Sequence, residues 1–384
     1  MKTKLVSGVF ALILLTVVVS TYSTLSKLNL AQVESQKVVV NGNLFEFTTA
    51  ATPRVMVAPV PTTPVQTAPI SKIFLAGGNS FDNINNLFTP CVNNVLSSIN
   101  GIAWNQIVAN ATWSPRSHHT LTSFGGFMFV MGGANTQGPG QYTEYNDVYV
   151  GDGTNWIQWL ANAPWAARMS HNTMSYNGKL FIMGGSALVG QWIFFNDVWS
   201  SVDGQNWIPL GNAPWQGRER FASVVFNNKI WVMGGRGVLT SPPPQENLDD
   251  VWSSPDGINW IQTTVNAPWG RRSGHSAVAY NGKIFVIGGA NESTGLLTND
   301  VWSSTDGINW TQVTPNAPWT VRQGHTSLVF DGYMWVIGGF AYIWPNSSTV
   351  YTDAWKSRDG INWTQVTNNI PNLNGDGFAG VVMP

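Results

Sequence analysis

A chain of 384 residues that is 43% hydrophobic can bury a large core in one or two domains, yet only 10% of its residues are charged. A formal net charge of -1 and the lack of any basic run exclude the electrostatic footprint of a nucleic-acid-binding surface. One cysteine, Cys91, excludes an internal disulfide framework and a multi-thiolate metal site.

Lys2 and Lys4 precede an apolar run from Leu5 to Val19, the layout of a secretory signal peptide over residues 1–22. The run is shorter than the ~20 residues of a membrane-spanning helix. No A-x-A cleavage site follows it, so an uncleaved signal anchor is the alternative. Residues 23–71 are rich in Thr, Val and Pro (Pro53, Pro59, Pro61, Pro64, Pro69) without an amphipathic period, which predicts an extended stalk or disordered linker. The chain is therefore expected to be secreted, extracellular or periplasmic, and membrane-bound only if its first segment is retained. N-x-[ST] sequons at Asn110, Asn291, Asn309, Asn346 and Asn362 suit an exported eukaryotic protein.

From residue 72 onward the sequence repeats. A Gly-Gly pair closes an apolar run at Gly77-Gly78, Gly132-Gly133, Gly184-Gly185, Gly234-Gly235, Gly288-Gly289 and Gly338-Gly339. The second glycines lie 55, 52, 50, 54 and 50 residues apart, which marks six units of a propeller or solenoid. In unit five, HSAVAY and KIFVIGG flank Asn281-Gly282, and DVWSS and NWTQV flank Asp306-Gly307; each pair predicts two strands around a two-residue type I′ turn. Four antiparallel strands per unit predict an all-β fold, a six-bladed β-propeller over residues 72–384. Unit one begins at its second strand, Ile73 to Gly78, and the chain ends in GFAGVVMP, wording that matches the first strand HSAVAY. Gly377 to Met383 is thus expected to complete the first blade and close the ring, removing a sheet edge.

The double glycines, the strand-four tryptophans (Trp104, Trp156, Trp207, Trp260, Trp310, Trp363) and the R-x-x-H openings at Arg168, Arg272 and Arg322 resemble the kelch family over about residues 72–384. In architecture the chain is similar to galactose oxidase and the periplasmic sialic acid epimerases. The resemblance implies a propeller that binds something, and does not by itself imply an enzyme. A copper centre of the galactose oxidase kind takes histidines and a tyrosine crosslinked to cysteine. Cys91 instead falls in a unit-one loop and the histidines fall in repeat register, so no cofactor and no metal is expected. The S-x-D-G-x-N-W wording resembles the Asp-box of sialidases but lacks the residue between Asp and Gly.

Repeat register separates scaffold from candidates. Of 20 tryptophans, 15 occupy three repeat positions: the strand-four set, Trp199, Trp252, Trp302 and Trp355 in strand three, and Trp113, Trp165, Trp215, Trp269 and Trp319 in the NAPW-type corner. Large aromatics at one place in every unit are expected to fill the wedge between blades. His119, His171, His275 and His325 share a register that unit four fills with Phe221, and positions spread around a ring do not converge on a metal. His118 stands outside that register. Arg116, Arg168, Arg218, Arg272 and Arg322 open first strands; Asp147, Asp197, Asp250, Asp300 and Asp353 open third strands at the same blade end, which predicts Arg–Asp pairs. Asp152, Asp203, Asp256, Asp306 and Asp359 are taken up by the DG turns, leaving few carboxylates for acid–base chemistry and no assigned catalytic residue.

The connections between second and third strands vary from unit to unit and carry Trp192, Phe194, Phe195, Tyr342 and Trp344, with Tyr142 and Tyr145, aromatics that the register leaves unexplained. Strand direction puts them on the face of the 4–1 connections, where unit four departs from its siblings as Arg218-Glu219-Arg220. These residues form the candidate surface for a protein or glycan ligand. Glu219 is also the candidate proton acceptor of the alternative, a sugar-active enzyme resembling the epimerase or oxidase propellers; the plainer reading makes it half of a surface ion pair.

Overall fold

The computed structural model describes residues 37–40, 43–46, 71–79, 81–82, 87–138, 141–238, 245–291, 294–343 and 347–383. The chain divides into two compact units, Met1–Gln66 and Thr67–Pro384. In the first, Lys37–Val40 and Asn43–Glu46 pair as an antiparallel hairpin within the stretch expected to be linker, while the signal segment at 1–22 lies outside the described residues. Among the described residues there is no helix, so none is long and apolar enough to cross a membrane.

In the second unit each repeat folds into four antiparallel strands. Unit three is representative: Asn172–Tyr176, Lys179–Met183, Asp197–Ser201 and Trp207–Asn212 pair in chain order. Its first turn is the predicted one, with Tyr176 opposite Lys179 and positive φ at both Asn177 (48°) and Gly178 (71°). The second strand explains how units pack. Successive side chains point to opposite sheet faces, yet Leu180, Phe181, Ile182 and Met183 are all buried. Leu180 and Ile182 join Phe129, Met131 and Val148 of unit two, whereas Phe181 and Met183 join Ile230 and Val232 of unit four. Each sheet is therefore sandwiched between its neighbours.

The repeats form four four-stranded sheets and one ten-stranded sheet in a β-propeller arrangement. Units four and five are further joined into one hydrogen-bonded sheet by the short strand Arg272–Ser273. In unit one the C-terminal strand Ala379–Met383 pairs with Lys72–Ala76, from Ala379 opposite Ala76 to Met383 opposite Lys72. That strand also lies against the first strands of unit two, Thr120–Phe124, and unit six, Thr326–Phe330.

The repeated D-G wording builds something different from the predicted two-residue turn. Ser201 pairs with Trp207, leaving a five-residue loop at 202–206. Asp203 Oδ1 accepts from the backbone N–H of Gln205 and Asn206 at 2.8 Å, Ser201 Oγ accepts from Gly204 N–H at 2.8 Å, and Trp207 Nε1 donates to the Gly204 carbonyl at 3.0 Å. Side chains satisfy the loop from inside, so no I′ geometry is needed. These bonds hold Asp256 and Asp359 near 2 against a burial penalty, and lower Asp203 as well. A Cβ on Gly204 would sit 2.5 Å from the Phe129 ring of the preceding unit, and Gly101 meets Trp335 of unit six in the same way. The repeated sentence thus fixes the spacing between sheets. The tryptophans complete the wedge: Trp165 meets Trp207 edge-on at 6.2 Å, and Trp113–Trp156, Trp215–Trp260, Trp269–Trp310 and Trp319–Trp363 repeat that geometry.

Candidate functional site

Every unit enters its first strand through a four-residue segment: Arg116-Ser117-His118-His119, Arg168-Met169-Ser170-His171, Arg218-Glu219-Arg220-Phe221, Arg272-Ser273-Gly274-His275, Arg322-Gln323-Gly324-His325, and in unit one Gly375-Asp376-Gly377-Phe378. Its four positions do four different things.

The first position is structural. The predicted ion pairs form: Arg116–Asp147, Arg168–Asp197, Arg218–Asp250, Arg272–Asp300 and Arg322–Asp353 close at 2.6 to 2.9 Å. Each arginine is bidentate and also donates to a glycine carbonyl, such as Arg168 to Gly184 at 2.9 Å. The fourth position is a wedge. His171 lies against Gly132 of the preceding unit, as Phe221 does against Gly184 and Phe378 against Gly338. Burial first, then the neighbouring arginine, holds His171 and His325 down at about 3 and His119 and His275 well below their ordinary value. Among the described residues no group of three or more His, Cys, Asp or Glu is placed to hold a metal ion.

The third position surrounds the axis. His118, Ser170, Arg220, Gly274, Gly324 and Gly377 all have φ between 51° and 66°. Their peptides are linked head to tail: His118 N–H donates to the Gly377 carbonyl, Ser170 to His118, Arg220 to Ser170, Gly274 to Arg220 and Gly324 to Gly274, at 2.7 to 3.0 Å. The left-handed region costs a residue with a Cβ about 1–2 kcal/mol and glycine almost nothing. Three consecutive units use glycine here; the other three carry side chains.

Those side chains, with Asp376 from the second position, line an axial cavity of about 150 Å³. Asp376 is 6% exposed and its Oδ1 has no hydrogen-bond partner; Ser170 Oγ and Arg220 Nε are likewise unpartnered. His118 Nε2 stands 3.8 Å from Asp376 Oδ1. Burial pushes the Asp376 carboxyl up to about 6, opposed by Arg220, and burial reinforced by Arg220 holds His118 at about 3. At neutral pH the cavity therefore presents one carboxylate and one guanidinium among five neutral imidazoles. The wedge residues also line a second axial cavity of about 330 Å³, walled by hydroxyls such as Thr120, Thr173, Ser276 and Ser327.

The variable connections are not irregular loops. Ala134–Gly138 pairs with Gln141–Glu144, Ser186–Val189 with Gln191–Phe194, and Phe340–Ile343 with Ser347–Val350, while in units four and five the second and third strands themselves run on as long hairpins. They rise beside the axial segments, tied by bridges such as Ser117 to Ala134 and Met169 to Ser186. Adjacent hairpins touch where Tyr142 and Trp192 approach at 5.8 Å and where Leu188 N–H donates to Glu144 at 2.9 Å.

The sequence candidates that lie among the described residues do not form one surface. Trp192 and Phe194 lie half-buried on one hairpin, Tyr342 is exposed on another, and Trp344 lies outside the described residues. Phe195 has a register role after all: its ring covers the Arg168 guanidinium at 4.3 Å, as Tyr145 covers Arg116 and Tyr351 covers Arg322. The signal was an aromatic two residues before the strand-three aspartate. Arg218 is fully buried against Asp250 and does not reach the surface. Glu219 is not in a surface ion pair: it is 2% exposed, accepts from Arg236 Nε at 2.9 Å and from Ser186 Oγ, and is sealed under the hairpin. Only Arg220 reaches the axis. His118 stands out in the sequence only as the histidine outside the repeat register, and Asp376 carries no signal there, because neither shares its residue type with its equivalents in other units.

Residues 254–377 match the family model described as the DUF6242 beta propeller domain. A segment of the Ras guanine nucleotide exchange factor F of Dictyostelium discoideum is 32% identical over 100 residues, covering 25% of this chain and 9% of that protein. The chain therefore corresponds to a small part of that relative. The family match supports the propeller architecture.

Proposed function

We propose that the chain is an exported binding propeller of six blades, of kelch type, closed into a ring by its C-terminal strand and receiving a protein or glycan ligand on the hairpin face. One observation carries this reading: unpartnered polar atoms of Asp376, Ser170 and Arg220 open into an axial cavity beside projecting hairpins that differ from unit to unit. Variable segments on a rigid scaffold are where recognition resides. The series of backbone hydrogen bonds from Gly324 through His118 to Gly377 and the pairing of Ala379–Met383 support closure. Export is supported by the sequence alone, through the apolar run after Lys4. The sugar-active alternative loses its candidate base, since Glu219 is tied to Arg236 and Ser186.

Carbohydrate and peptide arrays probed with the full chain test this reading. A retained ligand should be lost from the Trp192→Ala and Tyr342→Ala variants with the melting temperature unchanged. If neither array retains the protein, or binding survives both changes, the hairpin face is not the recognition surface.

A further inference from the structure

Three features of the axial cavity converge on one ligand chemistry. The first is conformational: His118, Ser170 and Arg220 hold left-handed φ values of 55°, 53° and 51° at a position that Gly274, Gly324 and Gly377 occupy without strain. Backbone strain concentrated at one site, where an unstrained residue fills the equivalent positions, marks a functional demand. The second is polar: Asp376 Oδ1 and Ser170 Oγ are buried and unpartnered, with Arg220 Nε beside them. The third is placement. Asp376 comes from unit one and Arg220 from unit four, and both line the cavity, which in the six-bladed ring proposed above puts anion and cation on opposite walls. Among the described residues they form no ion pair with each other, although each feels the other's field.

A simple anion would be drawn to Arg220 and repelled by Asp376, and a simple cation the reverse. A molecule carrying both charges satisfies both walls and leaves the cavity neutral. We propose that the axial cavity binds a small zwitterion of the amino-acid class, its carboxylate on Arg220 and its ammonium on Asp376, with Ser170 and His118 completing the polar wall. The volume of about 150 Å³ restricts the ligand to a small one. The proposal rests on the axial reading of the binding face but names a different contact set from the hairpin aromatics. Of the groups around Asp376, burial keeps His118, His119, His171, His275 and His325 neutral at ordinary pH, and Asp376 titrates near 6.

Calorimetric titration of the full chain with glycine, L-serine and β-alanine, beside acetate, methylammonium and glycerol, tests the assignment. The test variants borrow residues from the protein's own repeats and so preserve the fold: Arg220→Gly copies Gly274 and Gly324, and Asp376→Ser copies Ser117 and Ser273. At least one amino acid should bind at pH 7.5, lose affinity about tenfold to a hundredfold in either variant, and weaken as pH falls through 6; acetate, methylammonium and glycerol should not compete. Acetate binding as tightly as glycine overturns the zwitterion and leaves an anion site. Equal binding of glycerol replaces it with a polyol site. No binding of any amino acid, or binding indifferent to both variants, overturns the proposal; an array ligand lost only in Trp192→Ala would then leave the hairpin reading standing.

Discussion

The outer wedge and the axis of this propeller are made from the same repeats under opposite rules. Beside the wedge, each of the five repeated arginines is matched by an aspartate. Arg116 gives its guanidinium to Asp147 and the Gly132 carbonyl, and four other units do the same with their own residues. At the axis the residues change from unit to unit, and Asp376, Ser170 and Arg220 keep unpartnered polar atoms. A buried unsatisfied polar group costs about 1–3 kcal/mol, and a left-handed residue with a Cβ adds about 1–2 kcal/mol. Glycine at the same place in three units shows that shape alone does not require these costs. Repeated charges are paired and hold the fold, although repeated rings such as Trp165 and His275 also keep buried, unpartnered nitrogens; Asp376 and Arg220, charges that occur once, face the axial cavity instead.

The sharpest way to break the contrast is to remove a piece that serves both regions. Deleting residues 375–384 takes away the first strand of unit one together with Asp376 and Gly377, exposing the edge of Lys72–Ala76. Loss of a cooperative melt or aggregation is expected, equivalent to several kcal/mol. A truncated chain that melts with the intact one contradicts the role given to that strand.

Next comes a cut confined to the wedge. Asp147→Ala leaves the fully buried Arg116 guanidinium without its carboxylate, and breaking a buried pair costs about 3–5 kcal/mol. Denaturant midpoints read this directly, and a cost under 1 kcal/mol would show the pair to be dispensable.

At the axis the sign reverses. The folded state raises the Asp376 carboxyl from 3.8 to about 6, so between those values the native protein keeps a proton that the unfolded chain has released. Stability therefore falls as pH rises through that window, and the full penalty persists above it. Asp376→Ser should stabilise the chain above pH 6, by up to about 3 kcal/mol for a shift of roughly two units, and have no such effect below pH 4. Melting curves at pH 3.5 and pH 7.5 check this; a variant less stable at pH 7.5 would make Asp376 a structural group.

The smallest effect sharpens the comparison furthest. Ser170→Gly relieves a left-handed φ of 53° and should be neutral or stabilising by up to about 1 kcal/mol. Gly274→Ala, whose Cβ would meet Gln323 at 3.0 Å, should destabilise. Equal effects of the two changes would show that the two halves of the axial ring are equivalent.

Periodic features were legible in the chain because a repeat writes its contacts many times. The strands, the Asn281-Gly282 type of turn, the Arg–Asp pairs and the edge-on tryptophans all follow from register. The D-G loops differ from the predicted turn because a hairpin signal and a side-chain-capped loop share the same two letters, and only the bonds accepted by Ser201 Oγ and Asp203 Oδ1 tell them apart. The sequence puts Glu219 and Arg218 on the face of the 4–1 connections as candidate surface residues, because charge in a connection suggests exposure. Their burial depends on Ser186, Arg236 and Asp250, which lie 17 to 33 residues away.

The sequence by itself determined an all-β repeat architecture and the scaffold residues in it, since hydrophobic period, turn chemistry and recurrence are local properties of the chain. Only the tertiary structure decided which residues meet at the candidate site. His118, Arg220 and Asp376 are separated by as many as 258 residues and meet because each opens a first strand facing the same axis. Three residues of different type, each unremarkable in its own segment, acquire a shared environment only when the repeats are arranged about a common centre, and no local pattern in the chain encodes that distance.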